Sequence, residues 1–106
     1  MLKDLIYTSR SFRRFAQEPP VSLGQLRELV DLARMSPSAG NKQALRFALI
    51  TDPALRGQVF GTLGWAAYLA HWAGPAEGER PTGYIAIVEE GTVHPLDAGI
   101  AAQSMM

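Results

Sequence analysis

The sequence predicts a single domain that mixes α-helices and β-strands. Apolar residues recur at helical spacing over residues 23–35, whereas residues 46–51 and 83–88 are two short apolar runs with few charges. Helical patterns lie before, between and after these runs, so helices and strands alternate along the chain. The 106 residues, of which 47% are hydrophobic, are enough for one domain with its own core.

The longest predicted helix begins after Ser22. Ser22 is a favourable N-cap, and Gln25 three residues later completes a possible capping box. The helix is predicted to end near Met35, because Pro37 follows and proline cannot continue a helix. Its buried face is formed by the apolar residues at helical spacing: Leu23, Leu26, Leu29, Val30 and Ala33.

Two shorter helices and one ambiguous segment complete the helical part. Residues 2–8 predict a short helix, and Asp52 followed by a first-turn proline predicts a second one, over residues 53–60. Residues 61–78 have only partial helical spacing. Their large side chains are expected to be packing groups: Trp65, Tyr68, Leu69 and Trp72.

The two strand patterns, 46–51 and 83–88, are predicted to be covered on both faces because they carry so few charges. Since helical sequence separates them, we expect further pairing partners for these strands outside the chain.

The last residues, 96–106, predict an alanine-rich helix with Asp97 at its positive N-terminal end. No glycine, proline or basic turn ends this helix. The expectation is that the chain belongs to a longer polypeptide or forms one half of an assembly, in one domain that is incomplete at its C-terminal end.

Composition excludes several classes of function. Ten basic and ten acidic residues give a formal net charge of zero, so nothing favours binding to nucleic acid or to an acidic membrane. There is no cysteine, which removes disulfides and thiolate chemistry and fits a reducing compartment. With no signal peptide and no run of about 20 apolar residues, the sequence predicts a cytoplasmic protein.

Two segments carry the residue types that bind ligands. The first, called the arm, is Ser9–Phe15, in which Arg10 and Arg13 offer planar forks suited to a phosphate and Ser11 adds a hydroxyl. Phe12 and Phe15 are expected to anchor it in apolar surface. A charged segment without a ligand is the alternative interpretation of the arm.

The second segment, called the bend, is Ser36–Gln43. Its small residues let the backbone approach a ligand, and the amides of Asn41 and Gln43 add donors and acceptors. An ordinary turn uses the same residue types, so this alternative stays open.

Familiar catalytic motifs are missing. Neither histidine has metal-ligand spacing, Ser38 lacks the context of a nucleophile elbow, and no phosphate-binding glycine loop is present. A bound redox cofactor would supply the chemistry that these side chains do not.

Together, the arm, the bend and the segment 97–103 resemble the FMN-dependent nitroreductase family in their order and spacing. The resemblance spans nearly the whole chain but only about the first half of a family member. It implies an α+β fold with a central sheet flanked by helices, in a homodimer that binds FMN at the subunit interface. It also implies that NAD(P)H passes hydride through the flavin to a nitro compound, quinone or similar small acceptor, with no catalytic side chain required.

The resemblance assigns roles to particular residues. Arg10, Ser11 and Arg13 would hold the phosphate and ribityl end of FMN. The bend would approach the flavin from the opposite subunit, with Asn41 as the main side-chain candidate and Gln43 near the ring system. The remaining cofactor-binding candidates of the bend are Pro37, Ser38, Ala39 and Gly40. The small residues of the last helix would pack in the dimer core: Ala98, Gly99, Ala101 and Ala102.

The sequence also departs from the family pattern. Ser9 replaces the first arginine of the arm, and Ala44-Leu45 replaces a proline-tryptophan pair near the cofactor. These departures keep a second function open, a flavin-binding or dimerising module without turnover. A helix-rich interaction domain with a purely superficial arm is the third.

Overall fold

The computed structural model describes residues 1–106, and it contains every predicted helix and strand. Each end lies within one residue of its expected position. The elements are α1 (Leu2–Thr8), α2 (Leu23–Arg34), β1 (Leu45–Ile50), α3 (Pro53–Phe60), β2 (Tyr84–Glu89) and α4 (Asp97–Met105). Ala39–Asn41 and Glu77–Glu79 form single turns of 3-10 helix.

Local capping explains where α2 and α3 begin. The Gln25 N–H donates to Ser22 Oγ at 3.1 Å and the Ser22 N–H donates to Gln25 Oε1 at 2.8 Å, so the predicted capping box is confirmed. In α3 the Leu55 N–H donates to Asp52 Oδ2 at 3.1 Å, with Pro53 in the first turn.

The two strands pair with each other in an antiparallel ladder, with Leu45 opposite Glu89 and Ile50 opposite Tyr84. Each strand therefore has one partner within the chain, and the further partners expected outside the chain stay a prediction. Helix α2 packs against both β1 and α4, which gives a two-stranded sheet next to a helical layer.

The prediction that both faces of the strands are covered is wrong for this chain. Because side chains alternate along a strand, the ladder sorts the residues into two faces. The half-buried face carries Phe47, Leu49, Ile85 and Ile87, and the exposed face carries Arg46, Ala48, Ala86 and Val88. Scarcity of charge predicted burial, but the chain supplies too few elements to cover a second face.

The core is small and lies where α2 crosses α4. Only 5 of 106 residues are buried, and the apolar core consists of Leu26, Ala33 and Ala101. The accessible surface is 8079 Å², against about 5,800 Å² for a folded monomer of this mass. The radius of gyration, 15.1 Å, also exceeds the roughly 13 Å of a domain of this length. The chain therefore leaves open apolar surface that other protein would ordinarily cover.

Several predicted packing groups are exposed instead. Phe12 is 66% exposed, Leu69 53% and Tyr68 fully, so their expected packing roles are wrong. Trp65 does pack, with its ring 5.8 Å from Phe60. Partial helical spacing did not separate these cases because residues 61–76 form turns rather than a helix.

None of the four helices combines the length and the apolar character that a membrane crossing needs.

Candidate functional site

The arm is fixed at one end only. The Phe15 N–H donates to the Glu79 carbonyl at 2.8 Å, and the Phe15 ring meets Trp65 edge-on at 6.4 Å. The predicted anchoring role is therefore confirmed for Phe15 and wrong for the exposed Phe12. Within residues 9–13 the side chains make one weak hydrogen bond, from Arg13 Nη1 to the Ser11 carbonyl at 3.5 Å.

The residues that follow Phe15 are also hydrogen-bonded to the segment before β2. The Gln17 side chain donates to the Glu77 carbonyl at 2.9 Å, and the Val21 N–H donates to Thr82 Oγ1, also at 2.9 Å. Gly83 completes this contact, because a Cβ at that position would collide with the Val21 side chain. The arm thus projects from a segment that is firmly attached to the sheet.

A cleft of about 380 Å³, called the arm cleft, opens beside the free end. Of the three predicted site residues of the arm, Ser11 and Arg13 line this cleft together, whereas Arg10 is exposed outside it. The complete lining is Ser11, Phe12, Arg13, Arg14, Leu69 and Trp72.

The cations of the arm differ in their availability. Arg14 pairs with Glu79 at 3.7 Å and lies 5.9 Å from the centre of the Trp72 ring. Arg10 and Arg13 form no ion pair, and both are exposed. Their guanidinium groups are therefore free to meet an anion.

The bend has an unusual backbone. Gly40, Asn41 and Gln43 all have positive φ, at 61°, 53° and 53°. Gly40 adopts this conformation without a steric penalty. For the other two, the left-handed region costs about 1 kcal/mol each, so contacts within the fold must maintain it.

Hydrogen bonds within the segment and to α4 hold the bend together. The Gln43 N–H donates to Ser38 Oγ at 3.1 Å, and Gln43 Nε2 donates to Asn41 Oδ1 at 3.1 Å. The Ala39 N–H is shared between the two carboxylate oxygens of Asp97, at 3.2 and 3.3 Å. The serine hydroxyls of Ser36 and Ser104 lie 2.6 Å apart, so the bend is attached to α4 at two points.

A second cleft of about 470 Å³, called the bend cleft, lies between the bend, α2, β1 and α4. Among the predicted site residues, Pro37, Ser38 and Gln43 line it. Ala39, Gly40 and Asn41 are exposed beside it. The two clefts share no residue, so one chain does not bring the arm and the bend into a single cavity.

Sequence reasoning missed the contact between Asp97 and the bend. The Asp97 carboxylate was expected to act at the helix N-terminus, and it does lie in the first turn of α4. Its partner, Ala39, is 58 residues away in sequence, and a backbone N–H leaves no mark in the residue pattern. The contact of Arg14 with the Trp72 ring was also missed, because these two residues are far apart in sequence.

Next to the sheet lies a third cluster, around Tyr84. Burial raises the pKa of the Tyr84 phenol above its ordinary value of 10.0, and the cations of Arg56 and Arg80 partly offset this rise. Arg80 also lies 4.1 Å from the centre of the Phe60 ring. This cluster joins α3 to the start of β2.

Comparison with protein families identifies the class. The model of the Nitroreductase family matches residues 6–82, a segment that contains both the arm and the bend. The chain therefore belongs to the Nitroreductase family, a family of flavin-dependent oxidoreduction, and its mixed helix-and-strand architecture fits this membership. No curated protein matches the chain.

Proposed function

We propose that this protein is an FMN-dependent oxidoreductase that passes hydride from NAD(P)H to a nitro compound, quinone or similar small acceptor. We further propose that it works as a cytoplasmic homodimer in which each flavin meets the arm of one subunit and the bend of the other. The observation that carries the proposal is the family match over residues 6–82, which includes both segments.

The arm suits the phosphate end of FMN. Arg13 and Ser11 line one cleft, and a guanidinium with a neighbouring hydroxyl provides the charge-assisted donors that phosphate accepts. Arg13 has no competing carboxylate, and Arg10 lies free nearby in sequence. Trp72 and Phe12 add apolar walls on which a ligand can pack.

The bend suits the flat ring system. At its exposed residues, Ala39 carries only a methyl group and Gly40 carries no side chain. The nearest atom to a Cβ built on Gly40 belongs to the Lys42 side chain, at 3.8 Å. A planar group can therefore approach the backbone closely. Asn41 Oδ1 is already bonded to Gln43, which leaves its amide N–H₂ available to a ligand.

The protein's part in the reaction is binding and orientation. FMN held by these residues would supply the hydride-transfer chemistry, because cofactors of this kind carry the reactive chemistry themselves. The cations of the arm would neutralise the phosphate, and the donors of the bend would fix the ring. No side chain of the chain needs to act as a general acid.

Open surface supports the dimer. The excess of accessible surface over a compact monomer is about 2,300 Å² per chain, which is the scale that obligate interfaces bury. The separation of the two clefts within one chain also agrees with a site that two chains complete. The last helix offers less surface for a dimer interface than expected, because Ala101 is only 2% exposed and packs on α2. Gly99, in contrast, has open space around it.

FMN uptake is the direct test. The purified protein is expected to be yellow, or to become so on addition of FMN, with one flavin retained per subunit after gel filtration. Protein that stays colourless in excess FMN would contradict the proposal.

Turnover separates the enzyme from the alternative of a flavin-binding module. With FMN bound, NADH or NADPH should be oxidised steadily in the presence of a quinone. Stable FMN binding without NAD(P)H oxidation, with quinones and nitro compounds alike, would favour the module instead.

A further inference from the structure

Asp97 is the one charged side chain that the fold buries, with 7% of its surface exposed. It has no cationic partner. Its carboxylate accepts the Ala39 N–H, and its place in the first turn of α4 sets it against the positive end of that helix. Burying a carboxylate without a cation is unfavourable unless its contacts are specific, so this placement requires an explanation.

The bend explains why such a contact is useful. Asn41 and Gln43 both lie in the left-handed region, and a backbone of this kind persists only when the surrounding structure determines it. The bonds from Gln43 to Ser38 and Asn41 are internal to the bend. They shape it but do not orient it with respect to the rest of the protein.

The flanking elements contact the bend only at its two ends, where the Ser36 N–H donates to the Ala33 carbonyl and the Arg46 side chain donates to the Gln43 carbonyl. The contacts from residues distant in sequence come from α4. Asp97 holds the N–H of Ala39, the residue immediately before Gly40, and Ser104 holds the side chain of Ser36 at the other end. The Ser36–Ser104 pair is exposed, so solvent competes with it. The Asp97 contact is partly buried, with Asp97 itself only 7% exposed, so water competes with it less and it is the stronger constraint.

We propose that Asp97 is the positioning residue of the bend: its carboxylate fixes the backbone at Ala39 and so sets the surface that Ala39, Gly40 and Asn41 present to the cofactor. The identity of the ligand rests on the proposed function. The contact itself belongs to the ligand-free chain and can be tested without FMN.

The test compares Asp97→Ala with Asp97→Asn. The asparagine keeps an oxygen that accepts the Ala39 N–H, whereas the alanine removes it. Asp52→Ala is the matched control, because Asp52 also accepts a backbone N–H at a helix start but lies away from the bend. The control should lower the melting temperature by a few degrees and leave the bend unaffected.

Two readouts are needed. Amide hydrogen exchange in the ligand-free protein should be at least about tenfold faster at Ala39 in Asp97→Ala, and close to wild type in Asp97→Asn. The dissociation constant for FMN should rise about 10- to 100-fold in Asp97→Ala, with most of the affinity restored in Asp97→Asn.

Each result either supports or overturns the proposed role of Asp97. Unchanged exchange at Ala39 in Asp97→Ala overturns the proposal, and so does faster exchange with unchanged FMN affinity. If Asp97→Ala does not fold, wild-type protein gives the answer, because an Ala39 amide that exchanges as fast as a free peptide contradicts the contact. If exchange responds as expected but wild-type protein takes up no FMN, the proposed function fails while the structural role of Asp97 stands.

Discussion

The arm and the bend differ in how the fold holds them and in what they offer to a ligand. The arm, Ser9–Phe15, is held at Phe15 and leaves the guanidinium groups of Arg10 and Arg13 unpaired in solvent. The bend, Ser36–Gln43, adopts a strained backbone that internal hydrogen bonds and α4 hold in place. The arm supplies charge, which acts over a distance and tolerates motion, whereas the bend supplies a shape, which must be fixed in advance.

This difference makes a general prediction about mutations. Changes in the free end of the arm should alter ligand affinity and leave the free energy of unfolding unchanged. Changes in the bend should alter both, because the same contacts maintain the fold and the binding surface.

Removing the charge of Arg13 should have the largest effect on binding. Arg13→Ala is expected to weaken FMN binding by about 1–3 kcal/mol, the range for a hydrogen bond to a charged group, with no change in melting temperature. Isothermal titration and thermal denaturation measure the two quantities. Arg27→Ala is the control, since Arg27 is an exposed arginine of α2 that lines neither cleft. Equal losses in both variants would mean that the phosphate does not bind at the arm.

The two phenylalanines of the arm should differ in stability. Phe15→Ala is expected to destabilise the fold by about 2 kcal/mol, because a half-buried ring packed on Trp65 is lost. Phe12→Ala should change the free energy of unfolding by less than about 0.5 kcal/mol, because its ring is 66% exposed. Urea denaturation compares them. Similar destabilisation by both changes would show that the arm is anchored along its whole length.

A substitution at Gly40 tests the bend. Gly40→Ala is expected to cost about 1 kcal/mol of stability, because φ is 61° there and a side chain disfavours that region. FMN affinity should fall as well. Gly57→Ala is the control: this glycine lies inside α3 with open space around it, so alanine should stabilise the protein by about 0.5–1 kcal/mol. A Gly40→Ala variant with wild-type stability and reduced FMN affinity would contradict the expectation that changes in the bend alter stability and binding together.

The smallest expected effect concerns the scaffold that carries both regions. Because burial raises the pKa of Tyr84 in the folded state, the folded protein holds this proton more tightly than the unfolded chain. Its contribution to stability is therefore present below pH 10 and is lost as the pH rises through the folded-state pKa. The free energy of unfolding should fall above pH 10, and Tyr84→Phe should remove part of that fall. An identical pH profile in the variant would exclude Tyr84 as its source.

Local signals predicted the elements of the fold well. The capping box of Ser22 and Gln25 and the Asp52-Pro53 pair fixed the starts of two helices, since both depend on residues three or fewer apart. The pairing of β1 with β2 and the exposure of one sheet face depend on how many layers the chain supplies, and no local pattern records that number.

The candidate site was predicted only in its parts. Arg13, Ser11 and the small residues of the bend were recognised from their residue types, because charge and size can be read from a sequence. Asp97 was recognised as a helix residue but not as the partner of Ala39, since a bond to a backbone amide has no sequence signature. Phe12 and Phe15 had the same apparent role until their neighbours were known.

The central claim, that the arm of one subunit and the bend of the other complete each flavin site, can be tested with mixed dimers. One subunit carries Arg10→Ala and Arg13→Ala, the other carries Gly40→Ala, and flavin is counted per isolated mixed dimer against wild type. We expect the homodimer of either variant chain to lose high-affinity FMN, while the mixed dimer regains one site from its intact arm and intact bend. A mixed dimer with no recovered site would contradict a site shared between the two subunits.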